Sequence, residues 1–277
     1  MEEVQKDISA PALVHAIEAN LFEYFLLFSR WPGAEIHDDP EMLWMITNIP
    51  FPLFNSVLRA QLAADEIDTV IEAAINRCEE RNVPMLWQVG PATKPAKLGE
   101  YLHAHGFYHE GGSPGMAVDL QSLNERISKP SGFTIQRVND AESMEKWNHV
   151  LITGFDMPDF IADAFLDIYS NIGFDAQLPI HNYLGLMNGE PVASSSMFLG
   201  AGVAGIYNVS TLPEARRQGF GALITLIPLL KARSRGYRVG VLQSSEMGYK
   251  VYRQLGFQEY CKISHYVWSP ESMQGAR

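Results

Sequence analysis

The chain has 277 residues, with 32 acidic against 21 basic side chains and a net charge of −11 at pH 7. That length implies one or two domains, a hydrophobic content of 47% is that of a soluble globular chain, and the acidic balance argues against nucleic acid as a partner. The longest apolar runs, such as Leu21 to Phe28, are too short and interrupted to span a bilayer, and no basic-then-apolar leader opens the chain. The two cysteines, Cys78 and Cys261, lack metal spacing, so the expectation is a reducing cytoplasm, two inert buried thiols and no metal.

Residues 11 to 30 repeat Leu13, Ile17, Leu21, Tyr24, Phe25 and Phe28 at helical spacing, and Trp31-Pro32-Gly33 ends that helix. Leu43 to Ile49 and Phe54 to Leu62 read as strands, and Asp65 to Arg81 as a helix with Ile67, Val70, Ile71, Ala74 and Ile75 inward. A buried strand follows at Met85 to Val89, then a helix from Pro95 to His105. A final strand spans Phe107 to Leu120, either continuous or folded as a hairpin at Gly111-Gly112. The polar stretch Gln121 to Gly132, with its Ser-Lys-Pro-Ser-Gly run, reads as a linker between domains at 1–125 and 131–277.

The second half opens with a strand, Phe133 to Val138. A helix from Asp140 to Phe155 has Asp140 as N-cap, and another covers Pro158 to Ser170. Tyr183 to Met187 and Pro191 to Phe198 flank Asn188-Gly189, a hairpin signal. The strand Val203 to Val209 leads through Ser210-Thr211-Leu212-Pro213 into Arg216-Arg217-Gln218-Gly219-Phe220-Gly221. A helix follows at once, with Leu223, Ile224, Ile227 and Leu230 apolar and Pro228 inside it. Glycines just before a helix let a ligand approach the backbone, and the free N–H groups of the first turn favour an anion there. Charge agrees: Glu214 to Arg253 holds eight basic and two acidic residues.

Arg-x-x-Gly-x-Gly after a strand resembles the pyrophosphate loop of the GNAT acyl-CoA N-acyltransferases. Its sequel strengthens the likeness. Val239 to Leu242 reads as a buried strand, and Ser245 opens a helix running through Tyr249 and Tyr252 to Leu255-Gly256-Phe257. A tyrosine four residues before Gly-Phe resembles the second motif of that family. The resemblance implies an α/β (α+β) fold of two tandem GNAT-like domains, each a mixed, mostly antiparallel sheet flanked by helices. The helix ending Leu102-His103-Ala104-His105-Gly106-Phe107 echoes the one ending Leu255-Gly256-Phe257. The first copy is reduced, because Gln61 to Asp65 has neither glycine nor arginine and Leu102 stands where a tyrosine would. It reads as a degenerate GNAT-like domain without a cofactor site; an unrelated α/β domain is the alternative.

By that resemblance, Gly219 and Gly221, with the backbone of Arg217, Gln218, Phe220 and Ala222, cradle the pyrophosphate of acetyl-CoA. Arg216 or Arg217 adds a charge-assisted bond. Val209, Ser210 and Thr211 correspond to the splayed strand end that pairs with the pantetheine arm. Tyr252 corresponds to the general acid that serves the departing sulfur. Ser245 stands where many members have an asparagine, and either bonds the cofactor arm or caps its helix. No general base is legible. Asp159, Asp163 and Asp167 share one helix face, either a solvated acidic stripe or an attraction for a cationic amine. His149 and His181 read as packing or surface residues.

The resulting expectation is transfer of an acetyl group from acetyl-CoA to a cationic small-molecule amine by direct attack. The chain would be a monomer or homodimer without nucleic-acid or membrane partners. A metabolite acyltransferase of the mycothiol-synthase type and a non-catalytic acyl-CoA sensor are the rival expectations.

Overall fold

A computed structural model describes residues 4–273. In chain order, α1 is Ala10–Leu26, β1 Glu35–Asp38, β2 Met42–Ile46 and β3 Ser56–Ala60. Then come α2 Ile67–Arg81, β4 Met85–Val89, α3 Leu98–Ala104 and β5 Tyr108–Asp119. The second half begins with β6 Phe133–Arg137, α4 Ala141–Phe155 and α5 Asp159–Ile172, followed by β7 Ile180–Met187, β8 Glu190–Gly200 and β9 Val203–Thr211. It closes with α6 Phe220–Ser234, β10 Val239–Gln243, α7 Glu246–Leu255 and β11 Gln258–Trp268.

The chain gathers into two compact units that are not consecutive stretches. The first takes the described residues up to Tyr24 together with Gly115–Tyr260; the second takes Phe25–Pro114 together with the described residues from Cys261 on.

In the first unit the strand order is β5-β10-β9-β8-β7-β6. Strands β6 to β9 are antiparallel neighbours, β10 runs parallel to β9, and β5 returns antiparallel to β10 from Val239↔Asp119 to Gln243↔Gly115. The parallel step requires a crossover, which α6 supplies. Local chemistry sets the other elements. Asn188 and Gly189 both have positive φ (53° and 92°), as a two-residue hairpin turn between β7 and β8 demands. Asp140 accepts from the Ser143 N–H at 2.8 Å and Ser143 Oγ accepts in return from the Asp140 N–H, closing a capping box on α4. Trp147 on α4 is fully buried and its indole N–H donates to the Ser195 carbonyl at 3.1 Å. The α6 helix runs on past Pro228.

His181 is a packing residue, as expected. It is buried, accepts from Arg235 through Nε2, and is driven down to about pKa 4 by burial and by Arg137, Arg235 and Lys231. His149 and the aspartates 159, 163 and 167 are exposed.

In the second unit the order is β1-β2-β3-β4-β11. Strands β1, β2 and β3 are antiparallel, β3 is parallel to β4, and Ser264–Trp268 of β11 pairs antiparallel with β4. Helix α2 buries Ile67, Ile71, Ala74 and Cys78 in a core with Trp87, Leu98, Leu102 and Phe107. Each fully buried Ile, Leu or Phe contributes about 1.5–3 kcal/mol.

Several sequence expectations change. Strand β1 is absent from the sequence reading because four residues are too few to show a period. Phe54 to Leu62 shortens to β3, since Pro52–Phe54 makes a 3-10 turn. Leu43 to Ile49 ends at Ile46. Gly111-Gly112 is no hairpin: β5 runs straight through, and a Cβ on Gly112 would sit 2.6 Å from the Ile263 carbonyl, so glycine serves close strand approach. The polar stretch after β5 packs within the first unit. Leu120 and Leu123 are buried, and Asn124 bonds the carbonyls of Gln254 and Leu255. One stretch, Ala10–Arg30, is long and apolar enough to cross a membrane by length and composition, and half of it is buried. Leu13, Ile17 and Leu21 on it are core residues.

Candidate active site

The site grows from a strand that loses its neighbour. Pairing between β9 and β10 is confined to Ala204 and Gly205 opposite Gly240 and Val241, yet β9 continues to Thr211. Beyond Gly205 its edge is open on the β10 side, and unpaired backbone N–H and C=O groups there require a partner. On the other side, Ser196 faces Tyr207 and Ser194 faces Ser210, so β9 holds one extra residue in a bulge at Asn208–Val209. Asn208 takes φ +54°, a left-handed conformation that asparagine tolerates better than most residues.

The open edge borders a cleft of about 670 Å³ lined by Val209, Ser210 and Thr211. Ser210 is tied down, its Oγ donating to the Val150 carbonyl at 3.0 Å. Helix α4 comes so close that a Cβ on Gly154 would collide with Ser210 Oγ. Arg216 fastens the same corner: Nη2 donates to the Gly154 carbonyl at 2.8 Å and Nε to the Thr211 carbonyl at 3.3 Å. Of the two arginines, Arg216 is thus held by backbone, whereas Arg217 is exposed at φ +64° on the cleft wall.

Gly219 is the N-cap of α6 at φ +83°, and no side chain caps this end. The N–H groups of Phe220, Gly221 and Ala222 precede the first intrahelical bond, from Leu223 N–H to the Gly219 carbonyl at 3.1 Å. A Cβ on Gly219 would meet nothing within 4 Å, and one on Gly221 only Thr211 Oγ at 3.8 Å. Both glycines therefore border open space, a cradle for an anion. Phe220 is buried and stacks on Phe133 at 4.6 Å, and Ala222 is buried, so their side chains anchor the turn while their backbone faces out. Gln218 is exposed and does not line the cleft.

The opposite wall is α7. Ser245 caps it, Oγ accepting from the Gly248 N–H at 3.2 Å, and also lines the cleft; accepting that bond leaves its own proton free to donate. Tyr252 is 7% exposed and lines the cleft. Its ring lies over Gly248, where a Cβ would come within 2.7 Å of Cε2, and meets Phe257 edge-on at 6.0 Å. Burial alone raises its pKa well above the phenol range. It is a neutral phenol on the cleft wall. Tyr249, by contrast, donates to Glu259 at the surface.

The structure thus brings Val209, Ser210, Thr211, Arg216, Arg217, Gly219, Phe220, Gly221, Ala222, Ser245 and Tyr252 to one cleft and leaves Gln218 at its margin. It adds Gly154, Phe155 and Met247 to the lining, the last two exposed apolar side chains. The sequence reading singled out none of these three. Among the described residues, no group of His, Cys, Asp and Glu could hold a metal.

Residues 183–269 match the model of the FR47-like protein family, a GNAT-related group. A solved GCN5-related N-acetyltransferase from Kribbella flavida superposes with a TM-score of 0.69 at 20% identity, covering 98% of this chain and 99% of that one. This is the fold of the GCN5-related N-acetyltransferases. A GNAT structure from Sphaerobacter thermophilus gives 0.59 at 15% identity, with 96% and 94% covered. A tandem GNAT protein from the clavulanic acid biosynthesis pathway gives 0.59 at 11% identity over 97% of each chain. No curated protein matches the chain. The likeness to GNAT acyltransferases drawn from the two sequence motifs is therefore found again in the family model and in the fold.

Proposed function

We propose that the protein is an acetyl-CoA-dependent N-acetyltransferase acting on a small-molecule amine, and that the first unit alone performs the transfer. The observation that carries this reading is the parting of β9 from β10 beside an uncapped, glycine-lined helix N-terminus. An extended amide arm fits the open strand edge, and a pyrophosphate fits the helix end.

In this reading the β9 backbone at Val209 to Thr211 pairs with the pantetheine amides, as an added strand would. The N–H groups of Phe220, Gly221 and Ala222 receive the pyrophosphate, with Arg217 adding charge. Acetyl-CoA supplies an activated thioester. Tyr252 then donates a hydrogen bond to the sulfur as negative charge builds on it. With a phenol pKa raised by burial and a free thiol near about 8.5, complete proton transfer from Tyr252 to the thiolate runs uphill. Tyr252 therefore acts chiefly by stabilising the developing charge. As the C–N bond forms and the C–S bond breaks, the proton lost by the amine passes through water to the departing thiolate, and the acetamide and CoA thiol leave.

We place the reaction in the cytoplasm, where both cysteines stay reduced; Cys78 is buried as expected, whereas Cys261 is half-buried. The test is continuous detection of thiol release from acetyl-CoA across a panel of amines. Amine-dependent release supports the reading; CoA affinity with no release on any amine favours an acyl-CoA sensor.

A further inference from the structure

Asn208 interrupts β9 where the cleft begins. Its left-handed backbone is the hinge of the bulge. Its backbone carbonyl accepts from Ser194 Oγ at 3.2 Å, and its side-chain Nδ2 lies within hydrogen-bond reach of Tyr24 Oη at 3.0 Å, Ser196 Oγ at 3.0 Å and the Tyr169 hydroxyl. The two phenols also bond each other. They come from opposite parts of the chain, Tyr24 from α1 and Tyr169 from α5.

This cluster is firmly built. Tyr24 stacks face to face on Tyr207 at 4.0 Å, and Tyr207 donates to Asn20 Oδ1 at 2.7 Å. Ser196 Oγ donates to Asn182 Oδ1 at 2.6 Å. Burial drives the Tyr24 phenol up to about 12 and raises that of Tyr169 well above the usual phenol range, so both remain neutral partners for the amide. The half-buried amide loses these bonds if it turns, so the cluster holds Asn208 in one orientation.

Val209, the next residue, is the first of the β9 end to line the cleft. We propose that Asn208 is a positioning residue: clamped by Tyr24 and Tyr169, it fixes the bulge and so aims the Val209 backbone at the acyl end of the bound thioester. This rests on the acetyltransferase reading for its kinetic consequence but not for its structural one. The pyrophosphate cradle at Gly219 lies on a different element, so loosening the bulge should spare binding and impair turnover.

The decisive variant is Asn208→Gly, which keeps access to positive φ and deletes the clamp. Displacing a reacting group by about 1 Å can cost about 10²-fold, so kcat should fall about tenfold or more while acetyl-CoA affinity stays within about threefold. Amide hydrogen exchange at Val209 and Ser210 should quicken about tenfold, with exchange in α6 unchanged. Tyr169→Phe, which keeps the ring, should shift both readouts the same way by less. Wild-type exchange rates at Val209 and Ser210 in Asn208→Gly would overturn the clamp, whatever the kinetics. Parallel losses of affinity and kcat would overturn the positioning role. A wild-type chain that binds CoA without releasing thiol would remove the acetyltransferase reading alone, and the exchange measurement would still decide the role of Asn208.

Discussion

Two strand–helix–strand segments of this molecule share a plan and differ in one respect. In the first unit, β9, α6 and β10 form a parallel pair with its crossover; in the second unit, β3, α2 and β4 do the same. Each leading strand carries a bulge, at Asn208–Val209 in β9 and at Leu58 in β3, where Leu43 faces Arg59 but Trp44 faces Val57. In β9 the end of the strand is left open. In β3 it is stitched shut: Lys94 N–H donates to the Ala60 carbonyl at 2.8 Å and Leu62 N–H to the Lys94 carbonyl at 3.0 Å. The helix starts diverge likewise. Gly219 opens α6 onto free space, whereas Asp65, Glu66 and Asp68 crowd the start of α2 with negative charge. Leu102, fully buried, stands at the spacing of Tyr252. An open strand edge needs a backbone partner, and in the second unit β3 finds one in its own chain.

The largest effect should come from closing the open end. Gly221→Glu places a side chain and a charge where the pyrophosphate would sit. Gly221 lacks the positive φ of Gly219, so the backbone accepts the change. Acetyl-CoA affinity by calorimetry should drop by about 10²-fold or more with the melting temperature nearly unchanged, because a charge-assisted anion site becomes a repulsive one. Retained affinity would break the assignment of the cleft.

Next is Tyr252→Phe. It removes one hydroxyl and keeps the ring and its edge-on contact with Phe257, so stability should hold. A hydrogen bond formed mainly in the transition state is lost, so kcat should fall about 10²-fold with acetyl-CoA binding preserved. A kcat within a few-fold of wild type would return Tyr252 to the role of a core aromatic, like Leu102.

The smallest effect sharpens the helix comparison. Ser245→Ala deletes the cap of α7 and should cost about 1 kcal/mol in chemical denaturation. Lys97→Ala, at the uncapped start of α3, should cost nothing measurable. Any fall in acetyl-CoA affinity in Ser245→Ala beyond that loss of stability measures what the hydroxyl gives the cofactor arm.

The glycine turn, the capped helix and Tyr252 were legible because each is a local pattern: positive φ, a free helix end and a spacing of four residues. The Asp140 cap and the Asn188-Gly189 turn were legible for the same reason. The bulge was not, since Asn208 sits in an apolar run and the clamp that holds it comes from Tyr24 and Tyr169 far along the chain. Nor was the stitching of Lys94 to Ala60 and Leu62, which is a backbone contact without side-chain signature. The use of Gly112 for close approach rather than a turn depends on Ile263, and no local window contains both. What the sequence hid is in each case a long-range pairing.

The central claim is that the open strand end of the first unit binds acyl-CoA and the closed one of the second unit does not. Calorimetric titration of the full chain with acetyl-CoA tests it directly. The account predicts one site per chain, abolished by Gly221→Glu; two equivalent sites, or one site untouched by that substitution, would contradict it.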